Sequence, residues 1–309
     1  MPQRPPNLFA GQYLDRLAHR RTEAEWLAEA LRNPATLIVP FLNGHNLISL
    51  SGDSGAAWFL DRSIVTESSD PIFLGEFRQR PCFAVDISAT RIELAPNVET
   101  ADLRTMAARL PADEAGVLAY ARALMIWRER HRYCGRCGAP TRSANAGHVL
   151  VCGSEACGLQ QFPRIDPAVI TLVTDTTGEH ALLGRQASWP PRRYSTIAGF
   201  VEPGESLEDA VVREVHEETG VIVDRVEYHS SQPWPFPSSL MIGFIATART
   251  TAIDPHDQEL EDARWFSRED LASGQVLLPM ATSVSFRLIE DWFDSAAARP
   301  LRDVIANRR

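Results

Sequence analysis

Three glutamates, Glu214, Glu217 and Glu218, stand at i, i+3 and i+4 in a stretch with helical spacing, and their position on that helix gives them their chemistry. Ser206, with Asp209 behind it, has the character of an N-cap with an acidic first turn, and Gly220 is a natural stop. Between them Leu207, Ala210, Val211 and Val215 form one apolar stripe. With Leu207 at zero and about 100° per residue, Glu214 falls near ~340°, Glu217 near ~280° and Glu218 near ~20°. A merely solvated acidic helix would carry its acids opposite the stripe, whereas these continue it. Like charges four residues apart repel, and more so when partly desolvated. A divalent cation relieves that repulsion, and hard oxygen ligands select Mg²⁺ or Mn²⁺. Arg213, beside them, can fix a carboxylate through a bidentate pair.

A second constellation is softer. Cys134-x2-Cys137 is followed, after fourteen residues, by Cys152-x4-Cys157. Two short cysteine turns facing each other supply the four thiolates of a tetrahedral Zn²⁺ site, without help from the nearby His131 or His148. With all four positions filled by protein, such a site is structural, and a segment this poor in apolar residues needs it to hold a shape. Cys82 stands apart and reads as a small buried hydrophobe.

The elements that must position these groups separate by composition. Residues 1–127 mix helical and strand-like patterns and read as an N-terminal α+β domain. Leu14 to Leu31 has helix-like spacing up to Asn33-Pro34, Leu37–Val39 and Leu47–Leu50 read as strands about an Asn43-Gly44 turn, and Ala115–Trp127 reads as an amphipathic helix. Residues 128–162 form the zinc ribbon. Residues 163–296 alternate strands (Ala168–Val173, Ala181–Leu183, Leu240–Ala246) with two helices, the second over Ser283–Phe293, which implies a mixed sheet between helices. Residues 297–309 read as a loose tail.

The chain has 309 residues and a formal net charge of -9, and all 31 of its basic residues are arginine. An acidic balance argues against broad, non-specific binding to nucleic acid but leaves room for a local basic pocket. No run is apolar enough to span a bilayer, and the N-terminus lacks the apolar core of a secretory signal. The expectation is a cytoplasmic protein with reduced cysteines and no membrane partner.

Gly199-x5-Glu205-x7-Arg213-Glu214-Val215-His216-Glu217-Glu218-Thr219-Gly220-Val221 resembles the Nudix box without a departure. The segment Ser231-Gln232-Pro233-Trp234-Pro235-Phe236-Pro237-Ser238-Ser239 resembles the second signature of the NADH pyrophosphatase family within that superfamily. The resemblance is closest from Cys134 to about Phe293 and looser before Trp127. It implies an α/β fold, a Nudix α/β/α sandwich with a mixed sheet, preceded by a zinc ribbon and an N-terminal α+β domain.

The resemblance also implies roles. Glu214, Glu217 and Glu218 would hold catalytic Mg²⁺ or Mn²⁺, with Glu218 also as general base. The Ala198 carbonyl and Glu259 would complete the site, Glu261 being the competing acid. Phe200 would stack on a substrate base, and Ala281 would make a backbone contact. Phe162 stands where the family often has tyrosine and would reach the ligand across a homodimer interface, lacking one hydroxyl. Gln232, Pro233, Trp234, Pro235, Phe236, Pro237, Ser238 and Ser239 would line the substrate. Independently of the family, three prolines in five residues stiffen this loop and hold its aromatics, which suits either a ligand with flat rings or ordinary packing into a core.

The implied reaction is hydrolysis of the NADH or NAD pyrophosphate to AMP and nicotinamide mononucleotide. The same chemistry would remove an NAD cap from RNA, and Arg128, Arg130, Arg132 and Arg136 near the ribbon could help locally. A reading from another class is a zinc-ribbon protein whose Nudix domain senses without catalysis. An intact set of acids argues against it, since a sensor has no need of them.

Overall fold

The computed structural model describes residues 5–66, 69–255 and 259–306. Its chain falls into two compact units, one of Leu8–Ile165 with Pro233–Ser238 and one of Asp166–Gln232 and Ser239–Arg309 with the short N-terminal segment Met1–Asn7.

The first unit contains β1 (Leu14–Asp15), α1 (Ala24–Arg32), β2 (Leu37–Leu42), β3 (His45–Ser51), β4 (Ser54–Ala57), β5 (Ile72–Phe77), β6 (Arg80–Asp86), β7 (Val98–Ala101), α2 (Leu103–Met106) and α3 (Ala112–Arg130). The strands form one sheet in the order β1-β5-β6-β2-β3-β4, with β7 also on β3. Strand β2 runs parallel to β6, and the β2–β3 hairpin turns at Asn43-Gly44, both with positive φ, as the sequence suggests. Leu37, Val39 and Phe41 face the core shared with α3, while Ile38 faces the core shared with α1. The period of two therefore puts one helix on each face. Helix α3 buries residues around most of its circumference rather than one stripe, so it is a core helix and not the amphipathic helix its sequence suggests.

Leu14 to Leu31 is not one helix. Leu14 and Asp15 pair with Phe77 and Glu76, Leu17 takes a left-handed φ of 40°, a 3₁₀ turn covers Ala18–Thr22, and only then does α1 begin. Pairing with the open edge of β5 outweighs helical periodicity here.

The ribbon strands β8 (Thr141–Ala144), β9 (Val149–Cys152) and β10 (Gln160–Gln161) form a separate antiparallel sheet in the order β10-β9-β8.

The second unit contains β11 (Asp166–Thr174), β12 (His180–Arg185), β13 (Ile197–Phe200), α4 (Leu207–Thr219), β14 (Val223–Trp234), β15 (Ser239–Ala248), β16 (Asp262–Ser267), α5 (Arg268–Ala272), α6 (Val284–Asp294) and α7 (Leu301–Ala306). The sheet order is β14-β15-β11-β12-β16, with β13 antiparallel to β11 and β15 parallel to it. Along β11, Val169 and Val173 pack toward α4, whereas Ile170 and Leu172 pack toward α6. Leu182 and its neighbours Ala181 and Leu183 divide the same way on β12. This alternation makes an α/β/α sandwich around a mixed sheet. The described part of the expected tail, residues 297–306, is not loose: α7 is helical and Leu301 is fully buried, its N–H held by Asp294 at 2.8 Å, and the rest of that expectation lies outside the described residues.

Candidate active site

Helix α4 is built as its ends predict. The Ser206 hydroxyl accepts from the Asp209 N–H at 3.1 Å while Asp209 accepts from the Ser206 N–H at 3.2 Å, a complete capping box. Gly220 closes the helix with φ 72°, and a Cβ there would meet the Asp254 carbonyl at 2.3 Å. Ala210, Val211 and Val215 are fully buried against the sheet, which fixes the rotation of the helix.

That rotation sorts the three acids. Glu218 is 3% exposed, the Glu214 side chain is 12% exposed and the Glu217 side chain is 48% exposed. The wheel therefore holds for Glu214 and Glu218, while Glu217, at its edge, stands at the rim. Glu214 lies over β13, against Gly199, where only glycine leaves room for its carboxylate. Ala198, the adjacent residue of β13, pairs with Ile170.

Arg213 is the organiser of the group. Its guanidinium forks onto Glu205, Nε to Oε1 at 2.6 Å and Nη2 to Oε2 at 2.9 Å. Its Nη1 donates to Glu214 at 2.8 Å and Glu217 at 3.0 Å, and Nη2 also reaches the Phe200 carbonyl at 2.9 Å. The bidentate partner is thus Glu205, a residue the sequence offered at a fixed distance from Arg213 without showing that the two would meet. The Arg213 hydrogen bonds, helped by the Glu202 N–H, hold the Glu205 carboxyl down at about 2. Glu214 moves the other way: burial raises its pKa, the charges of Glu217 and Glu259 add to this, and Arg213 opposes it.

Glu259 accepts from Gln186 Nε2 at 3.4 Å, and its charge is felt at Glu214. The competing acid, Glu261, instead pairs with Arg185. Phe200 and Phe162 are 59% and 63% exposed, large rings open to solvent. Ala281 is exposed, and its carbonyl accepts from Arg302 at 3.1 Å.

The proline-rich loop departs from its expected role in part. Gln232 is 1% exposed, and its amide is engaged inside the protein: Nε2 donates to the Thr282 carbonyl at 2.9 Å and Oε1 accepts from the Val284 N–H at 2.8 Å. It clamps the start of α6 instead of presenting an edge to a ligand. Trp234 and Phe236 stack edge-on at 5.1 Å and pack against the core of the first unit. Phe9 lies 6.3 Å and 6.0 Å from their ring centres, and Arg104 lies over both. Arg122 donates to the Pro235 carbonyl at 3.2 Å and stacks on Phe236. Pro233, Pro237, Ser238 and Ser239 are half-buried and Pro235 is buried. The loop is held as its prolines suggest, and much of its aromatic surface is already occupied by protein.

In the ribbon the ligand atoms of Cys134, Cys137, Cys152 and Cys157 all lie within 4.8 Å of one another. Tetrahedral zinc with Zn–S of about 2.3 Å sets sulfurs about 3.8 Å apart, and two pairs stand at 3.8 and 3.4 Å. Four converging soft donors in this span fit Zn²⁺. The Arg136 and Cys137 N–H groups point at Cys134 and draw its thiol down to about 7. Gly138 and Gly158 supply the positive φ that closes each knuckle. His131 is turned to the Trp127 carbonyl at 2.7 Å and His148 to that of Phe73 at 2.7 Å, so neither joins the cluster.

Family models match the whole of this arrangement in order: an NADH pyrophosphatase-like rudimentary NUDIX domain over residues 25–127, an NADH pyrophosphatase zinc ribbon over 129–162 and a NUDIX domain over 164–291. The chain is 32% identical to the NAD-capped RNA hydrolase of Schizosaccharomyces pombe, with 96% of each chain covered. The chain belongs to the NADH pyrophosphatase family of Nudix hydrolases. It is also 33% identical to the human NAD-capped RNA hydrolase NUDT12, over 93% of this chain and 73% of that protein. It is 39% identical to the NAD-capped RNA hydrolase NudC of Stutzerimonas stutzeri, over 74% and 79%. Nudix hydrolases use Mg²⁺ or Mn²⁺, and the oxygen donors gathered on α4 suit such ions. This Nudix hydrolase thus combines a structural zinc ribbon with a cluster of acids on α4, and a sheet-and-helix unit matched by the rudimentary NUDIX model precedes both. No helix among the described residues is long and apolar enough to cross a membrane.

Proposed function

We propose that this hydrolase cleaves the pyrophosphate of NADH or NAD, releasing AMP and the corresponding nicotinamide mononucleotide. The observation that carries the proposal is the carboxylate group of α4, seated on Gly199 and locked by Arg213, in a chain whose relatives bear the name NAD-capped RNA hydrolase. Glu214, Glu217, Glu218, Glu259 and the Ala198 carbonyl are the residues that would hold Mg²⁺ or Mn²⁺. The ions, when bound, would offset the charge on the reacting phosphate and make a water more acidic. Glu218 takes a proton from the attacking water as its oxygen bonds to one phosphorus. The bridging P–O bond breaks, and one phosphate leaves with each nucleotide. Arg213 keeps Glu214 and Glu217 in place through the step, and Phe200 offers its ring to a base. Gln186, on Glu259, supports the choice of Glu259 over Glu261 as the outer ligand.

Incubation with NADH and Mn²⁺ or Mg²⁺, followed by chromatography, tests the reading. AMP and reduced nicotinamide mononucleotide in equal amounts support it, and intact NADH under both metals overturns it.

The names of the relatives favour NAD-capped RNA as a second substrate of the same centre. Competition between capped RNA and NADH for turnover separates the two.

We also propose a cytoplasmic homodimer in which Phe162 of one protomer reaches the ligand of its partner. Two exposed aromatic rings support the dimer, and four cysteines gathered as reduced zinc ligands support a reducing compartment. A particle of 34.3 kDa by light scattering would contradict the dimer.

A further inference from the structure

The second unit carries a cleft of about 830 Å³ whose walls include Arg185, Arg192, Tyr194, Glu261, Arg264 and Phe266. Arg185 ends β12, Arg264 lies on β16, and Arg192 lies in the connection from β12 to β13. Both acids of the cleft are already matched. Glu261 pairs with Arg185, and Asp262 accepts from the Tyr194 hydroxyl and pairs with Arg264 Nε at 2.7 Å. Arg192 is exposed, with φ 67°, and its side chain has no hydrogen-bond or ion-pair partner among the described residues. Within the wall, Arg185 donates from Nη2 to the Trp189 carbonyl at 3.1 Å, yet its Nε is buried with no hydrogen-bond partner. Buried donors of this kind are rare in folded proteins. Three guanidinium groups against two carboxylates leave a positive surplus, and Arg presents the fork that matches a phosphate.

The cleft is linked to the acid cluster through neighbours along the chain. Gln186, directly after Arg185, donates to Glu259, whose charge acts on Glu214. Glu261 is two residues beyond Glu259, a distance of at most about 7 Å along the chain. A ligand whose pyrophosphate lies at Glu214 and Glu259 can therefore present its next phosphate to the cleft.

We infer that the cleft of Arg185, Arg192 and Arg264 receives a phosphate beyond the scissile pyrophosphate, the first phosphodiester of an RNA chain that carries an NAD cap. The inference rests on the reading of the centre given above. It makes Arg192 and Arg264 residues that distinguish capped RNA from the free dinucleotide, which has no further phosphate to offer.

The test measures binding to the Glu218→Gln protein, by anisotropy for a 3′-labelled NAD-capped RNA of about ten nucleotides and by calorimetry for NAD. Arg192→Ala and Arg264→Ala are each expected to weaken capped RNA about tenfold and leave NAD unchanged. Each should also lower the slope of log affinity against log salt by about 0.7. Arg192→Lys should recover most of the affinity, which a local misfolding would not. Equal weakening of both ligands, no weakening of either, or failure of the Glu218→Gln protein to bind capped RNA overturns the inference. Turnover of NADH by the wild type is read separately: its absence counts against the proposed reaction, while the binding comparison still decides the role of the cleft.

Discussion

A Cβ built on Gly199 would lie 1.9 Å from Cδ of Glu214, so this carboxylate rests directly on bare backbone. The residue after Ala198 is therefore glycine because an acid occupies the space of its side chain. Gly199→Ala must push the carboxylate aside. Displacement of about 1 Å at a reacting centre lowers rates on the order of a hundredfold. We expect kcat to fall by at least that factor with the circular dichroism spectrum and melting temperature little changed. Retained turnover would mean that Glu214 does not work from this position.

Arg213 holds three carboxylates and a carbonyl with one planar group, and lysine cannot reproduce that fork. Arg213→Ala and Arg213→Lys are both expected to reduce kcat on NADH by about a hundredfold or more, through loss of alignment at Glu214 and Glu217. Steady-state kinetics on the two variants check this. Full rescue by lysine would reduce the role of Arg213 to that of a point charge.

How far the sequence carries is visible in these two residues. The spacing of Glu214, Glu217 and Glu218 on one helical face, the Ser206–Asp209 cap, the Gly220 stop and the four-cysteine framework are local patterns, and local patterns are what a sequence displays. The proximity of Glu205 to Arg213 and of Gly199 to Glu214 depends on how a loop and a strand return to the helix, which no periodicity records. The same limit explains Gln232. Its amide looked suited to a ligand, but the partner that claims it is the start of α6, fifty residues away. Leu14–Leu31 shows the converse, a helical pattern overridden where an open strand edge captured its first residues.

Gln232 therefore acts first on stability. Gln232→Leu leaves the Val284 N–H and the Thr282 carbonyl without their partner in a buried place. Each such loss costs about 1–3 kcal/mol, so urea unfolding should shift by that order while KM for NADH changes little. A raised KM with unchanged stability would instead return Gln232 to the substrate.

His148 predicts a pH dependence for the first unit. Burial holds its pKa at about 4, below the ordinary 6.5, with its ring nitrogen against the Phe73 carbonyl. Between those values the unfolded chain binds the extra proton and the folded one does not. Stability contributed by the neutral ring is thus complete above about pH 6.5 and is lost as pH falls through about 4. Urea unfolding at pH 7 and pH 4.5, wild type against His148→Gln, should show the wild type losing about 2 kcal/mol more than the variant. Acid release of zinc affects both proteins alike. Parallel losses would show that His148 is not held neutral.

The most direct test of the account compares the wild type with Glu218→Gln on NADH in Mn²⁺, with the products resolved by chromatography. Glu218 is nearly enclosed, and the amide keeps its shape while removing its basicity. The account predicts AMP and reduced nicotinamide mononucleotide from the wild type, and a variant that still binds NADH but turns over at less than about one hundredth of the rate. Near-normal turnover by Glu218→Gln would contradict the assignment of Glu218 as the base, and with it the claim that the inward acids of α4 carry the reaction.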